Sequence, residues 1–264
     1  METLMDKKLL TEEFVSKINN IAVDAGHKIM AIYEQDFDIQ EKSDSSPLTE
    51  ADLASHRCIV DALSSLTPEI PILSEESADI PWSQRSQWQT YWLIDPLDGT
   101  KEFIKRNGEF TINIALINEG KPVFGSVYAP VLEQLYFGGE GLGAWKQSKS
   151  GKNNIGVSSS PEEPIRVVGS RSHQSDDMKG YLEQFSSFEL VPMGSSLKIC
   201  LVAEGSADIY PRLGPTSEWD TAAAHAVLTA AGGSCFIYEN DEELMYNTKE
   251  SLLNPYFIAQ GPQL

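Results

Sequence analysis

The spacing of apolar residues predicts two long helices at the beginning of the chain. In the first, an apolar residue recurs every three or four positions, which places these residues on one helical face. They are Phe14, Ile18, Ala22, Ala25, Ile29 and Ile32. Thr11 supplies a capping hydroxyl before two acidic residues, so this helix is expected from about residue 11 to residue 35. A polar loop at 41–46 leads to a second helix, which begins at Pro47 and ends before Pro68.

Shorter apolar runs, separated by turn residues, predict a β-meander in the middle of the chain. The expected strands are 71–73, 91–94, 110–117, 122–128, 133–137 and 144–145. The glycine-rich run at 138–143 is interpreted as a turn and not as a nucleotide-binding loop, because no Lys-Ser/Thr pair follows it and no helix begins there.

Beyond a polar stretch at 146–164 the pattern changes to an alternation of strands and helices. Strands are expected at 165–169, 188–192, 207–210, 234–238 and 256–259, and helices at 175–185, 194–203 and 218–231. The chain therefore belongs to the α/β class. Residues 1–150 form an α+β lobe and residues 151–264 an α/β lobe of one compact two-lobed unit.

Composition and charge narrow the classes of function. The 264 residues include 39 acidic and 20 basic side chains, a net charge of −19, which opposes binding to a nucleic acid polymer. No apolar run approaches the about 18 residues of a transmembrane helix. Three widely spaced cysteines, Cys58, Cys200 and Cys235, are typical of reduced thiols in a cytosolic protein. A small anionic substrate fits this charge only where metal ions neutralise the site.

Two carboxylates follow the predicted strand at 91–94. Asp95-Pro96-Leu97-Asp98 favours a type I turn, which would bring Asp95 and Asp98 within about 7 Å of each other. Such carboxylates repel each other unless a cation lies between them. Such a turn also leaves the Leu97 carbonyl free to be a further oxygen ligand. Gly99 and Thr100 then offer backbone N–H groups that suit a phosphate.

Other acidic residues also stand at the ends of predicted elements. Glu75 follows the strand at 71–73, so a metal site shared with Asp95 and Asp98 is expected. The four histidines do not form a ligand set, and His173 is the only one in a predicted loop. A site that offers only oxygen ligands selects a hard cation such as Mg²⁺.

Two helix starts and two capping patterns complete the candidates. Residues 194–198 put small residues, hydroxyls and Lys198 at a helix start, which suits an anion. Thr49-x-x-Asp52 and Ser217-x-x-Asp220 are capping boxes by sequence, so Asp52 and Asp220 have a structural interpretation as well as a functional one. The two interpretations are compatible, because a capped helix start can direct its acid into a cleft.

Taken in order, three motifs resemble the acidic element and the two signatures of the inositol monophosphatase superfamily. They are SEES at 74–77, WLIDPLDGTKEF at 92–103 and WDTAA at 219–223. Residues 100–111, 194–198, 201–205 and 210–216 resemble the bisphosphate nucleotidase branch of that superfamily. The resemblance implies a layered α-β-α-β-α sandwich and a lithium-sensitive phosphatase with two or three Mg²⁺ ions.

The resemblance also implies a role for each candidate residue. The implied metal ligands are Glu75, Asp95, the Leu97 carbonyl, Asp98 and Asp220. The implied catalytic residues are Asp52 and Thr100, which orient the attacking water, and Glu75, which assists. The implied substrate contacts are Glu75, Leu97, Asp98, Gly99, Thr100, Gly194, Ser195, Ser196, Lys198, Arg212 and Asp220. Among these, Lys198 and Arg212 are the expected partners of a second phosphate.

The implied reaction removes the 3'-phosphate of adenosine 3',5'-bisphosphate and is linked to sulfate assimilation. A second expected substrate is 3'-phosphoadenylyl sulfate. Inositol monophosphatase or fructose 1,6-bisphosphatase activity would use the same chemistry. A non-catalytic module that senses Ca²⁺ or a nucleotide is the alternative from another class. The resemblance further implies a cytoplasmic monomer or homodimer, and it allows peripheral attachment to the cytoplasmic face of the inner membrane.

Overall fold

Two β-sheets with helices between them organise the part of the chain that the structure describes. The structure is a computed structural model, and it describes residues 10–35, 47–169 and 176–262. The first sheet has seven strands in sequence order. They are β1 Ile72–Ser74, β2 Thr90–Asp98, β3 Thr111–Asn118, β4 Lys121–Ala129, β5 Gln134–Gly139, β6 Gly143–Ser148 and β7 Gly151–Ile155. The pair β1–β2 is parallel, and every other neighbouring pair is antiparallel.

The second sheet has five strands in the order β11-β12-β10-β8-β9. These strands are β8 Ile165–Gly169, β9 Phe188–Pro192, β10 Ile209–Arg212, β11 Ser234–Ile237 and β12 Phe257–Gln260. Strand β8 is parallel to β9 and β10, whereas β12 is antiparallel to both of its neighbours. The sheet is therefore mixed: it combines parallel strands with the antiparallel pair β11 and β12 at the end of the chain.

Seven α-helices and two short 3₁₀-helices are found among the described residues. The α-helices are α1 Glu12–Tyr33, α2 Pro47–Leu66, α3 Trp82–Arg85, α4 Thr100–Ile104, α5 Asp176–Leu182, α6 Leu197–Ala203 and α7 Ala222–Ala230. The 3₁₀-helices are Glu75–Ser77 and Glu218–Asp220. Each of these helices is too short or too polar to cross a bilayer.

The alternation of side chains along β2 explains the layering. Trp92 and Ile94 are buried against α1 and α2, whereas Tyr91 and Leu93 are buried on the opposite face with α6 and α7. The second sheet covers the other side of α6 and α7, and α5 packs on its outer face through Leu182. The result is the expected α-β-α-β-α sandwich.

A glycine lets the middle layer approach the first sheet closely. A Cβ atom on Gly125 of β4 would lie 2.0 Å from the carbonyl oxygen of Ala223 in α7. No side chain fits there, so the backbone of α7 contacts the sheet directly. The helix that follows Asp220 is thereby fixed against the sheet whose strand β2 carries Asp95 and Asp98.

The two N-terminal helices were predicted correctly. The Thr11 hydroxyl accepts a hydrogen bond from the Phe14 N–H at 3.2 Å, as expected for the cap of α1. Helix α2 begins at Pro47, as predicted, so Thr49 lies inside its first turn. The capping box of Thr49 with Asp52 stays a prediction. The expected loop at 41–46 lies outside the described residues.

Several boundaries differ from the sequence-based expectation. Helix α6 begins at Leu197 and not at 194, and the helix expected at 218–231 is divided into a 3₁₀-helix and α7. Strand β7 was missed, because Lys152, Asn153 and Asn154 are all exposed and show no apolar alternation. Its pairing with β6 extends the first sheet past residue 150. The division into two lobes stays a prediction. A boundary between them would have to follow Ile155, the last residue of β7, and not residue 150. All three cysteines are free thiols, as expected.

Candidate active site

Two parallel strands bring the first acidic residues to the same edge of the sheet. Ser74 of β1 pairs with Ile94 of β2, so Glu75, which follows β1, lies at the level of Asp95, which is inside β2. Glu75 begins a 3₁₀-helix and is not fully buried, whereas Asp95 is 1% exposed. The two acids are close enough for the charge of Glu75 to raise the pKa of Asp95, although only Glu75 stands at a strand end.

Strand β2 does not end in the type I turn that was predicted at 95–98. Asp95 lies opposite Asn113 and Asp98 lies opposite Thr111, so three steps along β2 match two steps along β3. This is a β-bulge, which tolerates Pro96 because the extra residue is not required to donate a ladder hydrogen bond. The Asp95 Oδ1 accepts the Leu97 N–H at 3.0 Å, and the Ser55 hydroxyl of α2 donates to the Pro96 carbonyl at 2.7 Å.

Three aspartates meet at this bulge. Asp95, Asp98 and Asp220 each present a carboxylate oxygen, and these oxygens all lie within 4.8 Å of one another. Asp220 reaches the cluster from the 3₁₀-helix before α7. Its Oδ2 accepts the Ser217 N–H at 2.9 Å in the predicted capping box. The structural and the functional interpretation of Asp220 are therefore both compatible with the same conformation.

Ser196 connects the cluster to the loop before α6. Its backbone N–H donates to Asp98 Oδ2 at 2.6 Å, and its hydroxyl oxygen lies 2.7 Å from the same oxygen. The hydroxyl is also 2.6 Å from the Asp220 carbonyl oxygen and accepts a hydrogen bond from Asn113 Nδ2 at 2.8 Å. One buried serine thus links side chains of β2 and β3 to the backbone of the turn that carries Asp220.

Burial and mutual repulsion dominate the electrostatics of the cluster. Burial raises the pKa of Asp95 well above its usual value, and the charges of Asp98, Glu75, Asp220 and Asp52 raise it further. Burial and the charge of Asp98 raise the pKa of Asp220 to about 7. Asp52 and Glu75 are therefore close enough to act on Asp95, although they lie outside the group of three.

A divalent cation fits this set of donors. The oxygens are close together, carboxylate in type and destabilised by one another, so a cation among them would remove the repulsion. No histidine or cysteine belongs to the group, which favours Mg²⁺ over zinc. His173, the only histidine in a predicted loop, lies outside the described residues.

A cavity of about 580 Å³ opens beside the aspartates. Asp98 and Asp220 line one side of it, and the cations Lys101, Lys198 and Arg212 also face it. Lys198 Nζ lies 5.7 Å from the centre of the Tyr210 ring. The Nη2 of Arg212 donates to the Pro215 carbonyl at 2.6 Å. The charge of Arg212 lowers the pKa of Asp220, but burial raises this pKa by more.

The glycines of the site are required by geometry. Gly99 has φ +97°, which places it in the left-handed region directly before Thr100, the first residue of α4. A Cβ on Gly194 would lie 2.7 Å from Glu102 Cγ and 2.9 Å from the Glu109 carbonyl oxygen. The segment at 194–196 is therefore pressed against the loop that follows α4.

Some of the expected site residues line the cavity, and others do not. Gly99, Gly194, Ser195, Ser196, Lys198 and Arg212 line the cavity together with Asp98 and Asp220. Leu97 is 1% exposed on β2, and Asp52 is 8% exposed on α2, which contacts α4. The individual roles of Asp52, Glu75, Leu97 and Thr100 stay predictions.

Sequence reasoning missed Asn113 and Ser55. Asn113 is 1% exposed, and its amide holds Ser196, whereas Ser55 holds the carbonyl at the bulge. The signal for Asn113 was present in the sequence, because an amide inside the apolar run at 110–117 must find a partner when that strand is buried.

Comparison with known proteins agrees with this geometry. The model of the inositol monophosphatase family matches residues 11–260. A protein of Salmonella typhimurium named 3'(2'),5'-bisphosphate nucleotidase CysQ is 50% identical over 245 residues, which are 92% of this chain and 98% of that protein.

Solved structures show the same relationship. CysQ from Bacteroides thetaiotaomicron, described as a bacterial member of the inositol monophosphatase family, has a TM-score of 0.88 and 42% identity. The match covers 97% of this chain and all 100% of that one. An inositol monophosphatase from Anabaena has a TM-score of 0.74 at 24% identity, over 94% of this chain and 90% of its own, and shares the fold.

Proposed function

This chain belongs to the inositol monophosphatase family, and on that premise we propose that it is a Mg²⁺-dependent 3'(2'),5'-bisphosphate nucleotidase. It hydrolyses the 3'-phosphate of adenosine 3',5'-bisphosphate and releases AMP and phosphate. The observation that carries the proposal is the 50% identity, over 92% of the chain, to a protein with that name. The aspartate cluster beside a cationic cavity supports the chemistry independently.

The chain's oxygens supply the metal site in this proposal. Asp95, Asp98 and Asp220 hold the cation or cations, with Glu75 and the Leu97 carbonyl as further ligands. When bound, Mg²⁺ lowers the pKa of a coordinated water and neutralises charge on the phosphate. The Ser196 N–H keeps Asp98 oriented, because it occupies one lone pair of Oδ2 and leaves the other oxygen available.

The remaining residues position the reactants. Thr100 and Asp52 orient the attacking water by hydrogen bonding, and the backbone at Gly99 and Thr100 receives the phosphate at the start of α4. Glu75 assists the removal of the water's proton. No residue of the site is arranged as an activated nucleophile, so direct attack by water is expected and no covalent phosphoenzyme is formed.

The second phosphate distinguishes the proposed substrate from a simple monoester. Lys198 and Arg212 line the cavity together with Asp98 and Asp220, and Gly194, Ser195 and Ser196 also line it. A volume of about 580 Å³ is large enough for a nucleotide. The cations would offset the charge of an anion that this acidic protein would otherwise repel.

Phosphate release from a panel of substrates tests the proposal. Adenosine 3',5'-bisphosphate, 3'-phosphoadenylyl sulfate, inositol 1-phosphate and fructose 1,6-bisphosphate would each be measured with Mg²⁺ and with EDTA. We expect metal-dependent release that is fastest from the adenosine bisphosphate. A preference for inositol phosphate would keep the metal site and reject the nucleotidase. No release from any substrate would favour the binding module.

Finer features belong to the same proposal. They are a place in sulfate assimilation, inhibition by lithium, two or three Mg²⁺ ions per site and a cytoplasmic location. Inhibition is tested by adding LiCl at constant ionic strength set with KCl. Peripheral membrane attachment and the choice between monomer and homodimer stay predictions.

A further inference from the structure

Asn254 contacts both ends of the turn that carries Asp220. Its Nδ2 donates to the Ser217 carbonyl at 2.7 Å and lies 3.1 Å from the Thr221 hydroxyl oxygen. Its backbone N–H donates to the Thr216 carbonyl at 2.8 Å. Asn254 is 9% exposed, so these hydrogen bonds are made almost entirely out of contact with water.

The two residues before Asn254 also contact the turn that carries Asp220. The Glu218 N–H donates to the Leu252 carbonyl at 2.8 Å, and Ser217 forms an antiparallel bridge with Leu253. Residues 252–254, which we call the C-terminal strap, therefore run beside residues 216–218. Pro255 restricts Asn254 to an extended conformation, which keeps the strap in register.

The turn depends on contacts from outside itself, of which the Ser196 hydroxyl supplies one at the Asp220 carbonyl and the strap supplies others. The turn is a 3₁₀-helix of three residues, and its own backbone hydrogen bonds are long, 3.2 Å from the Asp220 N–H to Ser217 and 3.3 Å from the Thr221 N–H to Glu218. A further support is the Tyr246 hydroxyl, which lies 3.2 Å from the Thr221 hydroxyl. Asn254 contacts residues on both sides of Asp220, namely Ser217 and Thr221.

The position of Asp220 needs such a support. Its carboxylate is close to that of Asp98, and the repulsion between like charges would move a weakly held turn out of the cluster. From these contacts we infer that Asn254 is a positioning residue, which fixes Asp220 at the geometry that a divalent cation requires. The inference rests on the metal site of the proposed function.

Binding of Mn²⁺, followed by the electron paramagnetic resonance signal of the free ion, tests this role without turnover. Mn²⁺ accepts the same oxygen ligands as Mg²⁺. We expect Asn254→Ala to bind Mn²⁺ about tenfold or more weakly than the unaltered protein, as for other residues that orient metal ligands. Asn254→Ser, which keeps one short donor, should fall between the two and serves if the alanine variant does not fold.

The matched control is Asn19→Ala. Asn19 is 7% exposed, and its amide oxygen accepts the Ser126 hydroxyl at 2.8 Å, so the change also removes a buried asparagine contact. It lies on α1 and has no contact with the turn of Asp220. The melting temperature of Asn19→Ala should fall as it does in the Asn254 variants, while its affinity for Mn²⁺ stays unchanged.

The outcomes separate the two proposals. Weaker binding in the Asn254 variants alone supports the positioning role. Unchanged binding in folded Asn254 variants, or equal weakening by Asn19→Ala, overturns it and leaves the metal site standing. If the unaltered protein binds no Mn²⁺, the metal site itself is wrong and the inference falls with it.

Discussion

The backbone N–H of Ser196 donates to Asp98 Oδ2 at 2.6 Å although the two residues are 98 positions apart in the chain. The hydroxyl of the same serine is 2.7 Å from that oxygen. The loop that is proposed to contact substrate and the cluster that is proposed to hold metal are therefore one hydrogen-bonded unit. A change in either part is expected to affect both.

Ser196→Ala should lower both metal affinity and turnover. The backbone N–H contact to Asp98 is kept, but the bridge to the Asp220 carbonyl and to Asn113 is lost. We expect the Mg²⁺ concentration for half-maximal activity to rise about tenfold, in the range for residues that orient ligands. Ser126→Ala, which removes another buried hydroxyl, is the control and should leave this value unchanged.

Asp98→Asn should inactivate the enzyme while stabilising the metal-free protein. Loss of a ligand should reduce turnover by more than the about 10- to 100-fold that changes to outer residues cause. The charge of Asp98 also raises the pKa of Asp95 and of Asp220, so its removal relieves repulsion. In EDTA the melting temperature should rise, by about 2–4 °C for each kcal/mol relieved. Retained activity at ordinary Mg²⁺ would exclude the metal role.

Lys198→Ala should separate the two phosphates. If Lys198 binds the phosphate that is not cleaved, its loss should raise KM for adenosine 3',5'-bisphosphate by about 10- to 100-fold, the range for a hydrogen bond to a charged group. KM for a simple monophosphate ester should change little. The control is Lys152→Ala, whose ammonium lies over the Trp145 ring at 4.5 Å and away from the cavity. Equal effects on both substrates would refute the assignment.

His225 should make the protein less stable as the pH falls. Burial lowers the pKa of His225 to about 4, and the charge of Glu243, which opposes this, is the next largest influence, followed by Lys121. Below pH 6.5 the unfolded chain binds more protons at this residue than the folded one. Stability is therefore lost from pH 6.5 down through about 4, at no more than about 1.4 kcal/mol per pH unit.

Urea unfolding in EDTA between pH 7 and pH 4.5 measures this loss. His225→Gln should flatten the dependence of the unfolding free energy on pH, after any constant loss from the broken contact with the Tyr246 hydroxyl at 3.0 Å. His27→Gln is the control, because the His27 side chain is 70% exposed. A slope that is identical in all three proteins would show that His225 does not titrate as expected.

Gly125→Ala should destabilise the whole sandwich. The new Cβ would lie 2.0 Å from the Ala223 carbonyl oxygen, so α7 has to move away from β4. Overpacking of this kind costs about 1–3 kcal/mol, which corresponds to a melting temperature lower by several degrees. Gly180→Ala in α5 meets nothing within 4 Å and should be neutral or slightly stabilising. Comparable losses in both variants would contradict the close approach.

Periodic segments of the sequence were predicted well, and irregular ones were not. The apolar stripe of α1 and the buried run of β8 give the observed elements, because burial dictates both patterns. The sequence could not place the bulge at Asp95 and Asp98, since Asp-Pro is equally compatible with a turn. Strand β7 depends on its neighbour β6 for pairing and has no buried side of its own to leave a pattern.

Residue types and their order indicate the chemistry of this protein: acids near strand ends, no cluster of soft ligands, and motifs whose order identifies the family. Which of the acids meet depends on how the chain folds. Asp95, Asp98 and Asp220 come together because β2, the loop before α6 and the turn before α7 are joined through Ser196, and because the strap at 252–254 lies against that turn. These contacts join segments far apart in the chain, and local propensity contains no information about such distances.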